Sequence, residues 1–452
     1  MFKTARLQQL VAFGRDRLQE LRSANGANVT VTFALATIPM IGFVGAAVDY
    51  SHANAVKSAM QMAADSTALM LAKNAATLTS GDLQTKANDY FKAMFTRTDA
   101  TNLLVNVTYT TTGGSQVVVN ATSDVKTNFM NLMGFSSLKV AVDSQVKWGN
   151  TKLRIALVLD TTGSMSSAGK ITALKTATKG LLDQLKAAAV TNGDVYVSII
   201  PFSKDVNVDK SNYNATWIDW ADWDQNNGKC SKKKYDDDKS GCLSNGHNWN
   251  GDNHNKWNGC VMDRGDANGP NVGNYDTNVV APTVANQATL FAAEQYSSCS
   301  PAVMPLNYDW TAMKNLVDSF YPAGMTNQGI GLAHGWMSLV GGGPYPAPPP
   351  EDPNYKYSKV IILMSDGLNT KNRWYSSASQ IDAREQITCT NAKAAGITIY
   401  TIHVNTDGDP MSTLLQNCAS STDKFWMLTS ASQMVSTFNS IGTALSNLRI
   451  AQ

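Results

Sequence analysis

Oxygen-bearing side chains gather at one point of this 452-residue chain. In RIALVLDTTGSMSSAGKI, residues 154–171, an apolar run ends on Asp160, and Thr161, Thr162, Gly163, Ser164 and Ser166 follow. Asp160, Thr162 and Ser164 alternate, so their side chains can converge on one point. Carboxylate and hydroxyl oxygens suit a hard cation, Mg²⁺ first with Mn²⁺ or Ca²⁺ as alternatives, and not a soft one such as Zn²⁺. Three oxygens leave an octahedron incomplete, and two further segments offer more. In PAGMTNQGIGL, Thr326 stands ahead of a helical pattern; in VIILMSDGLN, Asp366 directly follows an apolar run. The other chemistry open to Asp160 is nucleophilic attack on a phosphoryl group.

The elements that must position these residues follow from periodicity. Apolar runs at 153–159, 195–201, 359–364, 397–403 and 424–428 read as buried strands. Helical patterns lie near 168–189, 311–320, 328–340, 379–395, 410–418 and 431–448. Near-continuous apolar strands alternating with helices imply an α/β fold, a doubly wound and mostly parallel sheet covered on both faces. Asp160 and Asp366 then fall at strand carboxyl ends, where open α/β sheets place their ligands. Residues 203–305 break the rhythm with Asn, Asp, Gly, Lys and Trp, and read as an insert that buries little apolar surface. GGGPYPAPPPEDP, residues 341–353, reads as a stiff extended loop.

A net charge of +2 and the lack of any basic block interleaved with aromatics leave nucleic-acid binding without a footprint. The six cysteines all lie in the second half and form no CxxC pair, which fits disulfides in an oxidising compartment. A Cys389–Cys418 bridge would tie the helix at 379–395 to the segment after the strand at 397–403. The short Cys230–Cys242 spacing suggests a local loop and leaves Cys260–Cys299 to close the insert.

The compartment is set by the N-terminal region. Residues 28–48 carry no charge, and 29–48 is long enough to cross a bilayer as one helix. Lys3, Arg6, Arg15, Arg17 and Arg22 outweigh Asp16 and Glu20 in the leader, 1–28, which the positive-inside bias keeps cytoplasmic. Everything after Asp49 is then exported. The rival is a signal peptide cleaved near Gly45-Ala46-Ala47; a long leader and a helical pattern that continues through 50–77 weigh against it. Ala53, Val56, Met60, Ala63 and Leu71 mark an apolar stripe on that continuation. Alternating Val, Thr and Tyr around Gly113-Gly114 reads as a hairpin, and LKVAVDSQVKW as another strand, completing a small α+β unit across 49–150.

DxTGSMS, a Gly-x-Thr-Asn loop and a strand ending Ser-Asp-Gly, in that order, resemble the metal-ion-dependent adhesion site of von Willebrand factor type A domains. The resemblance covers 151–452, and implies a Rossmann-like fold. It implies that Thr162 and Ser164 supply hydroxyl ligands, Thr326 the second-loop ligand, and Asp160 and Asp366 the carboxylates, direct or through water. One coordination position is left for an acidic residue of a protein partner. The basic leader, the single apolar helix, Asp49-Tyr50, Gln61 and Ala64-Asp65-Ser66 resemble TadE/TadG-like proteins of Tad (Flp) pilus assembly. Gly26 is followed by ANVTVTF, without the acid of true pilins.

Together the two resemblances imply a non-enzymatic, single-pass protein of a bacterial inner membrane with its C-terminal domain periplasmic or extracellular. Its partners would be pilus subunits or other assembly components. A surface or matrix adhesin without a pilus role is the alternative. A Mg²⁺-dependent aspartyl-phosphate phosphohydrolase is the remote one: DTTGS is similar to the Asp-x-Thr-Gly-Thr loop, but that chemistry also needs a cationic Lys and an acidic pair. His334 and His403 read as packed residues, Asp409 as a helix cap ahead of Pro410, and Trp249 and Trp257 as packing within the insert.

Overall fold

The structure is a computed structural model that describes residues 27–112, 114–148, 151–265 and 275–450. The basic residues of the leader therefore lie outside the described residues. Two compact units divide between Lys147 and Trp148.

In the first unit, α1 (Ala27–Ala72) runs unbroken for 46 residues through Pro39. Its N-terminal part leaves Val29, Phe33, Ile38 and Phe43 exposed, and it is long and apolar enough to cross a membrane. From Ala53 onward the stripe Ala53, Val56, Met60, Ala63 and Leu71 is buried, as the 3.6-residue spacing requires. Helix α2 (Ser80–Met94) starts at Thr79, whose hydroxyl accepts the Asp82 amide at 3.2 Å. Strands β1 (Ala100–Thr110), β2 (Ser115–Lys126) and β3 (Ser137–Trp148) form a sheet in that order. Val117, Val119, Ala121 and Val125 of β2 face inward, and Ser123 Oγ reaches Met60 Sδ at 3.1 Å.

Residues that carried the N-terminal resemblance have structural work here. The buried Asp49 carboxylate accepts the amides of Asn128, Phe129 and Met130 at 3.0, 2.9 and 2.7 Å. Gln61 Nε2 donates to the Asp143 carbonyl at 2.8 Å and to Asp65 Oδ1 at 2.9 Å.

The second unit is the doubly wound sheet. Its main strands are β4 (Thr151–Asp160), β5 (Val195–Phe202), β6 (Val206–Asn207), β7 (Cys260–Val261), β8 (Met304–Asn307), β9 (Lys356–Ser365), β10 (Thr398–Val404) and β11 (Phe425–Leu428). They lie in the order β7-β6-β5-β4-β9-β10-β11, with β8 antiparallel on β5. The five strands from β5 to β11 are parallel. Helices α3 (Lys170–Ala188), α4 (Trp310–Asp318) and α8 (Gln433–Ile450) pack on one face; α5 (Gln328–Val340), α6 (Ala378–Ala394) and α7 (Thr413–Cys418) pack on the other. Leu153, Ile155, Leu157 and Leu159 of β4 enter the first core, Ala156 and Val158 the second. Each fully buried Leu, Ile or Val contributes about 1.5–3 kcal/mol. The result is a mostly parallel α/β sheet with helices on both faces.

Chain order runs outward from β4 to β5 on one side and from β9 to β11 on the other, so the switch point lies between the carboxyl ends of β4 and β9. Two glycines let α5 lie close to that centre. A Cβ on Gly335 would stand 2.4 Å from Val158 Cγ2, and one on Gly331 2.7 Å from Phe202 Cδ1.

The structure departs from the sequence reading in two places. The insert was expected to bury little, yet it adds β6 and β7 to the sheet and buries Trp223, Trp257 and Phe291 in the α5 core; scattered aromatics build a core without any periodic signature. The expected Asp409 cap is absent: α7 begins later, and Ser412 Oγ accepts the Leu415 amide at 3.2 Å. Disulfides join Cys230 to Cys242, Cys260 to Cys299, and Cys389 to Cys418.

Candidate metal centre

Asp160 is the last residue of β4, Ser365 is the last of its neighbour β9, and Asp366 directly follows it. The parallel register brings these ends together: Ser365 Oγ donates to Asp160 Oδ2 at 2.5 Å. Asp160 Oδ1 accepts the Thr162 amide at 2.8 Å, which turns the chain into the first loop. Thr161 anchors that loop to β5 through its amide and hydroxyl on the Phe202 carbonyl, at 3.0 and 2.9 Å. A 3-10 turn, Gly163–Ser166, follows, with Met165 buried beneath it.

The hydroxyls form a directed chain. Ser164 Oγ donates to Asp366 Oδ1 at 2.6 Å, so the Thr162 hydroxyl donates to Ser164 Oγ at 2.9 Å. Asp160, Thr162 and Asp366 are buried, and Ser164 is exposed, which opens the group to solvent on one side. Four of the five sequence-derived site residues thus share one hydrogen-bonded cluster. Thr326 is buried in the second loop, which is stitched to the first by Gly163 N on the Gly324 carbonyl at 3.0 Å. Its backbone pairs with Thr370: the Thr326 amide donates to Thr370 Oγ1 at 2.8 Å, and the Thr326 carbonyl accepts the Thr370 amide at 2.9 Å. Among the described residues, no hydrogen bond joins the Thr326 hydroxyl to the other four.

Sequence reasoning missed Lys170. This first residue of α3 is fully buried, with Nζ 2.7 Å from Asp366 Oδ2 and 3.1 Å from Asp407 Oδ2. A signal was there, because a lysine in the first helical turn opposes the helix dipole and calls for an anionic partner. Asn369 was missed as well. Its Oδ1 accepts the Gln328 amide at 2.7 Å, and its Nδ2 donates to Asp382 and Glu385 at 2.8 and 2.9 Å, fastening the third loop to α5 and α6.

Electrostatics follow from burial. Burial, with the Asp366 carboxylate beside it, pushes the Asp160 carboxyl up to about 7. Burial opposes the Lys170 ammonium, but Asp366 and Asp407 outweigh it and hold Lys170 above the usual lysine range. His334 is buried in α5, with Nδ1 2.9 Å from Tyr345 Oη, and burial pushes it down to about 3. His403 is buried and Nδ1 accepts the Ser412 amide at 3.4 Å. Neither imidazole is placed as a base.

The oxygen donors at the centre, two carboxylates and neighbouring hydroxyls with no thiolate or imidazole, make a hard-cation set. Among the described residues no three His, Cys, Asp or Glu side chains gather as a metal cluster. Hydroxyls must therefore supply much of any coordination.

Residues 27–73 match the Tad family, described as putative Flp pilus-assembly TadE/G-like. Among curated proteins, none matches the chain. Solved structures similar to it include the pilus adhesin SpaC of Lactobacillus rhamnosus GG, 15% identical over 77% of this chain with a TM-score of 0.36. The chain spans 35% of that adhesin's length. The von Willebrand domain of the type V pilus tip protein Mfa5 of Porphyromonas gingivalis is 9% identical, covers 68% of this chain and 98% of its own, and has a TM-score of 0.37. Mussel byssus proximal thread matrix protein 1, with a zinc-occupied MIDAS motif, is 14% identical over 67% of this chain and 47% of its own, with a TM-score of 0.33.

Proposed function

We propose that the second unit takes a hard divalent cation, Mg²⁺ first, at Asp160, Thr162, Ser164, Thr326 and Asp366, and through it the Asp or Glu of a protein partner. The chain then serves without catalysis, as a membrane-anchored component of Tad-type pilus assembly or adhesion. The apolar part of α1 anchors it in a bacterial cytoplasmic membrane, and everything after Asp49 is exported.

The convergence of Asp160, Thr162, Ser164 and Asp366 at the carboxyl ends of β4 and β9 carries this reading. Exposure of Ser164 supports approach of a partner from that side. Lys170 does supply the cation that phosphoryl transfer requires, but Asp160 suits that chemistry poorly. It is fully buried, and both its oxygens already accept hydrogen bonds.

Calorimetric titration of the full chain in detergent with Mg²⁺ or Mn²⁺ tests the site. Asp160→Ala and Asp366→Ala abolish binding while the fold persists. Thr326→Ala weakens capture of an acidic partner more than it weakens cation binding. Unchanged cation affinity in Asp160→Ala overturns the reading.

A further inference from the structure

The segment between β2 and β3, residues 127–136, carries no charged side chain and reads TNFMNLMGFS. Phe129, Leu132, Met133 and Phe135 are all exposed, Leu132 to 85%. Four large apolar side chains on one short loop form a contiguous patch of the kind that marks a binding surface.

The place of this patch identifies what covers it. Phe129, Leu132 and Met133 line an apolar groove together with Ile38, Pro39, Ile41, Gly42, Phe43 and Ala46 of α1. Those α1 residues belong to the segment read as crossing the bilayer. Two glycines seat the loop there: a Cβ on Gly45 would stand 2.4 Å from Phe129 Cβ, and one on Gly42 3.4 Å from Met133 Sδ.

The backbone is also prepared for a medium without water. Asn128, Phe129 and Met130 give their amides to the Asp49 carboxylate. Leu132 N donates to the Phe129 carbonyl at 3.1 Å, Gly134 N to Asn131 at 3.1 Å, and Phe135 N to Met130 at 3.0 Å. Irregular backbone is tolerated at membrane depth only where protein shields it, and here these amides are turned onto Asp49 and the loop's own carbonyls while the apolar side chains stay exposed. Asn131 lines a separate cavity with Thr101, Asn102 and Asp124.

We infer that the loop of residues 127–136 is a second membrane-immersed element, lying in the exported leaflet against α1 with Phe129, Leu132, Met133 and Phe135 among lipid acyl chains. The inference rests on the anchor reading of α1. From Val48 back to Ile41 the helix descends about 10 Å at 1.5 Å per residue, which is within one leaflet of a ~30 Å core. The loop thus fixes the first unit at the bilayer surface by a second contact beside the helix.

None of the native cysteines is free, so a single added cysteine can carry a fluorophore. Leu132→Cys, Phe33→Cys in the span, and Thr112→Cys at the opposite end of the β1–β2 hairpin are labelled in the full chain and reconstituted in phosphatidylcholine–phosphatidylglycerol vesicles. Quenching by iodide in water is compared with quenching by nitroxides on the acyl chains. The expected result is strong acyl-chain quenching and at least fivefold protection from iodide at Leu132 and Phe33, with the reverse at Thr112. Leu132 as open to iodide as Thr112, with Phe33 still quenched by lipid, overturns the inference and leaves the anchor standing. Leu132 shielded from both quenchers assigns the patch to a protein neighbour and overturns the lipid assignment. Loss of acyl-chain quenching at Phe33 overturns the anchor reading itself.

Discussion

The Lys170 ammonium and the Asp366 carboxylate stand 2.7 Å apart, both side chains fully buried, at the point where a divalent cation is proposed. Lys170 therefore competes with such a cation for Asp366, and Asp407 at 3.1 Å offers it a second carboxylate. Lys170→Met should raise Mn²⁺ affinity at least tenfold, since removing a resident positive charge favours the incoming one. Asp407→Asn should lower it severalfold by leaving Lys170 to Asp366 alone. Calorimetric titration of both variants checks the opposite signs; a purely structural Lys170 gives no gain in the first.

Gly335 bears on stability through packing. Replacing it by Ala improves helix propensity, yet the new Cβ would stand 2.4 Å from Val158 Cγ2. Gly335→Ala should cost about 1–3 kcal/mol, the range for overpacking a tight core. It should also weaken cation binding by shifting α5, whose first turn follows Thr326. Denaturant melts and titration measure the two effects.

Glu385 sets a pH dependence. Burial pushes its carboxyl from the ordinary 4.5 up to about 8, although Asn369 Nδ2 donates to it. Between those values the folded chain keeps a proton that the unfolded chain has released, so stability falls as pH rises through that window and levels off above it. Glu385→Gln keeps the Asn369 contact and removes the ionisation. Its Tm should exceed that of the parent by a margin that grows from pH 5 to pH 8, at about 1.4 kcal/mol per pKa unit. Parallel Tm–pH profiles for the two proteins would contradict this.

Removing the Cys389–Cys418 bridge by double substitution to Ala releases a loop of sequence separation 29. Chain entropy puts the loss at about 3–4 kcal/mol. Chemical denaturation with and without reductant checks it: reductant should bring the parent toward the variant.

Much of this architecture was legible in the chain itself. Strands such as β4 and β9 are buried on both faces, so their unbroken apolar runs announce a parallel sheet, and the residue ending each run must lie at its carboxyl edge. The spacing of Asp160, Thr162 and Ser164 suggested that their side chains converge, and the uncharged stretch from residue 28 to 48 marked a bilayer-length helix. These are local properties, set by the period of the side chains along one element.

Only the tertiary structure decided what crosses between elements. The Asp160–Ser365 hydrogen bond joins residues 205 apart, and Lys170 meets Asp407 across 237. Neither distance is encoded in any periodicity. The buried aromatics of the insert, the closeness of Gly335 to Val158, and the rise of Glu385 to about 8 likewise depend on which surfaces exclude water from one another. Burial is a property of the packed whole, and it is what raises the Asp160 and Glu385 carboxyls.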